Sequence, residues 1–384
     1  MARKYRLAYF VTHPIQYQAP LLAQLAAQRD VELMVFFLRD FSRSKYFDKG
    51  FGKEIEWDVP LLSGYEHRFL PKGGMLQKLR FIATELRRGQ YDAVWLHGYV
   101  PLIMTATIVI CKSLGMPVLL RTETHSLLYR SCMRRVLHWC FCAVLFRCLV
   151  SRFLYIGTLN REYYQMFGVA GDRLFFVPYA VDNAHFQSEA GKLASARDEI
   201  AREHGIRRNR KSVLFASKLQ KRKHAGVLVE AFSRSNVCRE TAELLVIGDG
   251  EEFSLLQSRV GTNTYPNIHL LGFKNQSELP RYYAAADLFA LPSEREPWGL
   301  VINETMNLGT PVLCTNQVGA ARDLVVDGAT GLTFESVSVS VVVDALERAL
   351  STHFDRKEVV RRVSEFSYER DCDGILEALR SMAS

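Results

Sequence analysis

Apolar, β-rich runs alternate with helix-period segments along the whole of this 384-residue chain, and the cycle runs twice. In the first half, buried-strand patterns fall at 5–11, 31–37, 93–96, 118–121, 152–156 and 174–177, with helical patterns such as 20–28 and 101–114 between them. In the second half, strands fall at 212–216, 243–247, 268–271, 288–291, 311–314 and 332–334. The helices between and after them fall at 223–233, 253–260, 278–285, 299–307 and 337–351. A helix that follows each strand carries the chain back to the sheet end where the strand began, so the next strand enters parallel to the last. Strands apolar on both faces then need helices on both sides of the sheet. The expected fold class is α/β, with two Rossmann-like doubly wound domains.

The stretch 187–210 is polar, has no strand pattern, and sets a boundary near residue 190. That gives an N-terminal domain at 1–190 and a second at 191–360. The chain is helical over 356–382, and a C-terminal helix at 361–384 is expected to pack back on the first domain. Ligands of such sheets bind beyond the carboxyl ends of the strands, so a central cleft faced by both domains is expected.

The composition, 48% hydrophobic and 23% charged, excludes a disordered or fibrous chain. A net charge of +8 favours anionic partners: phosphates, an acidic membrane surface or nucleic acid. The eight cysteines form no CxxC pair. Cys132, Cys140, Cys142 and Cys148 share one helical stretch and read as buried, reduced thiols. The apolar run at 5–11 is too short for a signal-peptide core and ends at Thr12–His13–Pro14. The apolar stretch 136–150 is interrupted by His138 and Arg147, so no transmembrane helix is expected.

The most informative segment is Leu291–Pro–Ser–Glu–Arg–Glu–Pro–Trp–Gly–Leu–Val–Ile–Asn–Glu304. A strand ends at Leu291, and a helix opens near Gly299 and stops at Gly309 and Pro311. Backbone N–H groups of Gly299, Leu300 and Val301 begin that helix and suit a phosphate or sugar oxygen. Gly299 lets a ligand approach the backbone. Glu296 precedes the first turn and Glu304 lies more than a turn along it. Two carboxylates so placed suit hydroxyls of two different sugars: Glu296 a transferred sugar, Glu304 a ribose. Taken singly, each is more simply a loop carboxylate and a solvated helix residue; the strand–loop–helix setting outweighs that reading.

Glu296-x7-Glu304, with Trp298–Gly299 inside it, resembles the signature of the retaining glycosyltransferases of GT-B fold, family 4 (glycosyl transferases group 1). Further segments resemble that family in order and spacing: Phe215 to Lys223, Val246–Ile–Gly–Asp–Gly250, Leu271–Gly–Phe273, Tyr283 to Asp287, and Gly319 to Asp323. The likeness covers about residues 174–334, beginning at Val177–Pro–Tyr–Ala–Val–Asp182. It implies a GT-B architecture and a nucleotide-diphosphate sugar as donor, UDP- more often than GDP-. It places Lys218 and Lys223 on the diphosphate, Gly248 and Gly250 in a phosphate-side turn, Phe273 beside the base, and Trp298, Gly299, Leu300, Val301 and Glu304 at the donor. This chain departs from the family at Ser217–Lys218, where Gly-Arg is usual, and at Gly319–Ala320, where Gly-Gly is usual. A lysine is a point charge where an arginine grips a phosphate with two parallel bonds.

Lys218, Lys221, Arg222, Lys223 and His224 crowd one strand end. Fixed cations and a helix start can stabilise a departing phosphate. No Asp-x-Asp triad accompanies them, so no metal and no cofactor is expected. Without an aromatic stacking pattern or a nucleic-acid motif, nucleic acid is not an expected partner.

In the first half, His13–Pro–Ile–Gln–Tyr17 follows the first strand and resembles a subgroup common among bacterial surface-polysaccharide enzymes. His13, Gln16, Tyr17 and His97 are candidate acceptor contacts, although Tyr17 equally suits packing under the helix. The family often places a histidine against the donor sugar after the strand near 118–121; counting from Met116–Pro117 reaches Glu123, with His125 two residues later. Glu296, His125 and Glu123 are therefore the candidate catalytic residues, none of them assigned as a nucleophile. From Tyr129 to Arg161 the chain is apolar and basic, with six arginines and no acid. It reads first as a core helix with a basic edge; basic beside apolar residues also suits an anionic membrane surface. The resemblance implies a glycan or lipid-linked acceptor and a cytoplasmic enzyme, peripheral at the inner membrane face. A nucleotide-sugar epimerase or a non-catalytic nucleotide-sugar-binding subunit on the same fold stays open.

Overall fold

The computed structural model describes residues 4–40, 46–48, 53–55, 60–125, 132–193 and 195–382. Two compact units emerge. One holds the chain up to Tyr179, apart from a short hairpin, and takes it back from Ser367; the other holds Ala180–Phe366 and the hairpin.

The first unit is built on a seven-stranded sheet. Its strands are β1 (Tyr5–Val11), β2 (Val31–Phe37), β5 (Glu66–Phe69), β6 (Ala93–His97), β7 (Val118–Arg121), β8 (Arg152–Tyr155) and β9 (Leu174–Phe176), in the order β5-β2-β1-β6-β7-β8-β9. All six pairings in it are parallel. The hairpin is β3 (Tyr46–Asp48) with β4 (Lys53–Ile55), antiparallel. Helices α1 (Ala19–Ala26), α2 (Met75–Gly89), α3 (Leu102–Ser113), α4 (Cys132–Val144) and α5 (Thr158–Met166) connect the strands, and a π-helical turn at Leu145–Leu149 extends α4. Val94, Trp95, Leu96, Leu119 and Leu120 are fully buried, as strands covered on both faces require.

The second unit repeats the plan with the order β12-β11-β10-β13-β14-β15. Its first elements are α6 (Asn183–Lys192), α7 (Ala196–His204), β10 (Lys211–Ala216), α8 (Ala225–Arg234), α9 (Asn236–Thr241) and β11 (Ala242–Ile247). Next come α10 (Phe253–Thr264), β12 (Ile268–Gly272), α11 (Leu279–Ala285), β13 (Leu288–Leu291) and α12 (Leu300–Asn307). It closes with β14 (Val312–Thr315), α13 (Ala321–Leu324), β15 (Gly331–Phe334), α14 (Val339–Ser351) and α15 (Arg356–Ser364). The chain direction across the sheet reverses between β10 and β13, the point where open α/β sheets hold ligands.

The division differs from the expected one in detail. The first unit ends at Tyr179, not near 190, because α6 packs on α11 and α12 and so belongs to the second. The terminal helical stretch is two helices. α15 stays with the second unit, and only α16 (Tyr368–Arg380) joins the first. Ser367 starts α16 by accepting the Arg370 N–H at 3.3 Å. α16 lies close on β9: a Cβ at Gly374 would sit 2.1 Å from the Phe176 carbonyl oxygen. A buried Arg121–Asp371 ion pair at 3.4 Å ties it to β7.

Two sequence expectations fail around α4. Cys140 and Cys148 are exposed thiols and Cys142 is buried, while the side chain of Cys132 lies outside the described residues. The helix is also no core helix. Its inner line, His138, Cys142, Leu145 and Phe146, falls at helical spacing, and from Cys142 on it is buried; Val136, Leu137, Trp139, Phe141 and Val144 are exposed. No helix among the described residues is long and apolar enough to cross a membrane.

Candidate functional site

In the second unit a cavity of about 240 Å³ opens at the carboxyl ends of β10 and β13. Three loops build it. The loop after β10 carries Ser217 and Lys218 and winds through a single turn at Lys221–Lys223 into α8. It is held against the turn after β11: the Ser217 N–H donates to the Ile247 carbonyl at 3.1 Å and the Leu219 N–H to the Asp249 carbonyl at 2.9 Å. Gly248 has φ 140° there, and a Cβ on it would lie 2.0 Å from the Ser217 carbonyl oxygen. Only glycine lets the two strand ends meet.

The loop after β13 delivers both carboxylates. Its backbone is pinned to the segment after β14, with the Gly319 N–H donating to the Glu296 carbonyl and the Ala320 N–H to the Trp298 carbonyl, each at 3.0 Å. Gly299 adopts φ 95° and caps α12, so Gly299, Leu300 and Val301 line the cavity. Glu296 Oε2 accepts a hydrogen bond from the buried Lys223 ammonium, with the Arg222 guanidinium 3.6 Å from the same oxygen. Burial lowers the Lys223 pKa from its ordinary value, and the Glu296 charge opposes that. Lys218 and Lys223 both face the cavity, whereas Lys221 and Arg222 do not line it.

Glu304 lies further along α12, half-buried and held by two side chains. Tyr283 Oη donates to its Oε2 at 2.8 Å and Gln276 Nε2 to its Oε1 at 2.9 Å. Burial raises its carboxyl above the ordinary range despite these two donors. Phe273, Lys274 and Leu279 complete the wall.

Trp298, expected at the donor, lies in the core instead. Its side chain is 3% exposed and does not line the cavity. Its indole N–H donates to Asn303 at 2.8 Å and its ring centroid lies 5.8 Å from that of Phe366. The left-handed Gly299 turns the chain so that Trp298 enters the core while Leu300 and Val301 face the cavity. Gly250, at φ 147°, shapes the same turn as Gly248 but lies outside the lining.

The first unit has a cavity of about 440 Å³ in the equivalent place, beyond β1, β6 and β7. His13, Tyr17, His97, Tyr99 and Glu123 line it. Glu123 is its anchor: Oε1 accepts from Tyr17 Oη at 3.0 Å and from Tyr179 Oη, and lies 3.1 Å from His97 Nε2. Gln18, hydrogen-bonded to Tyr9 at 2.5 Å and to His97 Nδ1 at 3.0 Å, fixes the imidazole from behind. Burial pushes the Glu123 carboxyl up, but hydrogen bonds from His97, Tyr179 and Tyr17 outweigh it and hold the value at about 2. His13 is tied to Thr12 Oγ1 at 2.8 Å, and burial, then His97 and Arg39, lower its pKa.

Two candidates do not reach this cavity. His125 is 1% exposed, and the lining residues beside it are Thr122, Glu123 and Thr124. Gln16 points inward, its amide nitrogen buried with no hydrogen-bond partner among the described residues. The sequence reading assigned no role to Tyr179, Gln18, Tyr283, Gln276 and Lys274. Tyr179 and Tyr283 sit inside segments that carry the family resemblance, which was the signal available. No group of three or more His, Cys, Asp or Glu able to hold a metal occurs among the described residues.

Residues 196–380 match the family described as glycosyl transferases group 1. Among curated proteins, the chain is 30% identical over 172 residues to the N-acetyl-alpha-D-glucosaminyl L-malate synthase of Bacillus anthracis, covering 45% of this chain and 44% of that protein. It is 29% identical over 230 residues to a D-inositol 3-phosphate glycosyltransferase of Nocardia farcinica, covering 57% and 49%. The chain spans about half the length of the curated relatives it matches. Among solved structures, Anabaena Alr3699/HepE in complex with UDP superposes with a TM-score of 0.74 at 17% identity, over 98% of this chain and 100% of that one. A glycosyltransferase from Rickettsia africae gives 0.75 at 15% identity, over 99% of each chain. WaaG, a glycosyltransferase involved in lipopolysaccharide biosynthesis, gives 0.63 at 16%, over 95% of each. At these identities the likeness establishes the fold, which is GT-B.

Proposed function

Because residues 196–380 carry the domain of the group 1 glycosyl transferases on a GT-B fold, we propose that this chain transfers a sugar from a nucleotide-diphosphate sugar, with retention of configuration. The observation that carries the reading is the second unit's cavity, where Lys218, Lys223, Glu296, the start of α12 and Glu304 converge. Lys218 and Lys223 take the diphosphate, Glu304 the ribose, Glu296 the transferred sugar, and Phe273 flanks the base. Gly299 to Val301 offer backbone N–H groups to sugar and phosphate oxygens. In the transfer, the bond between the anomeric carbon and the β-phosphate oxygen breaks and an acceptor oxygen bonds to that carbon. The acceptor proton passes to the departing phosphate. Two lysines and a helix start stabilise the charge that develops there, without a metal ion. Likeness to a chain solved with UDP favours UDP over GDP as the nucleotide.

The acceptor is a glycan or lipid-linked saccharide in polysaccharide or related glycoconjugate synthesis, bound in the first unit's cavity by His13, Tyr17, His97 and Glu123. The enzyme works in the cytoplasm at the inner membrane face. A thermal-shift screen of nucleotide sugars tests the donor: a ligand at 100 times its Kd adds about 2.7 kcal/mol. Glu296→Ala should retain the fold and abolish transfer and donor hydrolysis. Full turnover in that variant would refute the site, and no shift with any nucleotide sugar would refute the function.

A further inference from the structure

Glu123 divides its two oxygens between two tasks. Oε1 takes the donors that the protein supplies: Tyr17 Oη at 3.0 Å, Tyr179 Oη, and His97 Nε2 at 3.1 Å. Among the described residues no donor reaches Oε2. The side chain nevertheless keeps 39% of its surface accessible, on the cavity wall. A carboxylate offers about four lone-pair sites, so Oε2 is a spare acceptor in the first unit's cavity, held in place by bonds made to its twin.

The same network sets the charge of the wall. Tyr9 Oη donates to Gln18 Oε1 at 2.5 Å, which turns the Gln18 amide N–H toward His97 Nδ1 at 3.0 Å. Nδ1 then carries no proton, and the imidazole is the neutral form with its proton on Nε2, facing Glu123. Burial, then His97 and Arg39, lower the His13 pKa, so His13 is neutral at neutral pH as well. Among the described residues no lysine or arginine lines the cavity. Two guanidiniums act on it from outside the lining. Arg121 is 1% exposed beneath the Tyr179 ring, donates to the Pro178 carbonyl at 2.8 Å and pairs with Asp371. Arg39 is exposed. The described lining therefore carries one charge, the negative charge of Glu123.

We propose that this cavity selects an uncharged sugar ring, one hydroxyl of which donates to Glu123 Oε2, and rejects rings that carry a phosphate or a carboxylate. A hydrogen bond to an ionised oxygen is about twice as strong as one between neutral groups. A second anion in the cavity would instead meet the carboxylate at short range with no lining cation to pair with. Tyr17 and Tyr99 add aromatic wall for the C–H surface of the ring. That the ring is the acceptor of transfer rests on the glycosyl-transfer reading; the selectivity of the cavity does not.

The test is ligand-observed NMR titration of the full chain with methyl glucoside, galactoside and mannoside, and with the matching 6-phosphates and uronates. UDP is present throughout to occupy the lysines of the second unit. At least one neutral glycoside should bind, and its anionic counterparts about tenfold or more weakly. Glu123→Gln should weaken the neutral glycoside and narrow that margin to about threefold or less, with a cooperative melt showing that the variant folds. High salt should narrow the margin in the wild type. Anionic rings that bind as tightly as neutral ones, no binding of any neutral glycoside, or a margin undiminished in Glu123→Gln overturns the proposal. The expected margin without any thermal shift by UDP refutes the transferase reading and leaves the selectivity of the cavity standing; a UDP shift without the margin does the reverse.

Discussion

Replacing Glu304 by glutamine should make the free protein more stable at neutral pH and the nucleotide complex weaker. The carboxylate is held, half-buried, between Tyr283 and Gln276 by hydrogen bonds of 2.8 and 2.9 Å. Burial raises its pKa in the folded chain above the ordinary carboxylate value. Between those two values the native state binds more protons than the unfolded chain, so stability falls as pH rises through that window. Glutamine keeps the shape, does not titrate, and still accepts from Tyr283, while the Gln276 amide can turn to match it. The gain at neutral pH is on the order of 1 kcal/mol, the lower end of the desolvation cost of a polar group that its hydrogen bonds do not fully offset. For a domain of this size that is about 2–4 °C in Tm. Binding changes in the opposite direction. Hydrogen bonds to an ionised group contribute about 1.5–3 kcal/mol, so loss of the charge facing the ribose should weaken UDP by roughly ten- to hundredfold. Scanning fluorimetry of both proteins across the acid-to-neutral range, with calorimetric titration of UDP at neutral pH, reads both effects. The Tm gap should be smallest near the ordinary carboxylate pKa and widen toward neutrality. A gap that is constant with pH, or unchanged UDP affinity, would refute the reasoning.

Three further outcomes test the two cavities. Gly248→Ala places a Cβ 2.0 Å from the Ser217 carbonyl oxygen at φ 140°; it should cost about 3 kcal/mol or more in urea denaturation, and a near-wild-type midpoint would show that the strand ends can part. Trp298→Phe loses the buried bond to Asn303 and should cost about 1–3 kcal/mol of stability while leaving donor affinity unchanged; a weaker donor without a stability loss would return the indole to the site. Glu123, held at about 2 by hydrogen bonds that outweigh burial, should stay ionised at every working pH and act by binding, not by proton transfer. Its stabilisation is fully present above the ordinary carboxylate pKa and is lost as pH falls from there through about 2. Glu123→Gln should therefore flatten the acid side of the Tm curve and raise the acceptor KM with donor affinity intact; a shifted pH optimum for kcat would assign it a proton-transfer role instead.

The alternation of apolar runs with helices was sufficient to identify two parallel sheets, because strands buried on both faces leave a continuous apolar signal that local spacing reveals. It was silent about β5, Glu-His-Arg-Phe, an edge strand whose alternate residues meet solvent. The break between α15 and α16 was also missed, since helical periodicity runs across it and only the capping Ser367 marks it. At the site, the loop and helix from Leu291 to Glu304 were legible because their residues are contiguous. Proximity at a distance was not. Lys223 meets Glu296 across 73 residues, and Tyr179 meets Glu123 across 56.

The sequence by itself determined the fold class, the two strand-end loops that meet in the second unit, and the identity of the charges brought there, since these follow from local patterning and composition. Only the tertiary structure decided which way each side chain turns. One left-handed glycine sends Trp298 into the core beside its cavity-lining neighbours, the turn of the chain after β7 puts Glu123 on the cavity wall and buries His125, and sheet packing takes one apolar side of α4 and leaves the other to solvent. Orientation of that kind depends on what lies opposite a residue in space, and a linear pattern does not carry it.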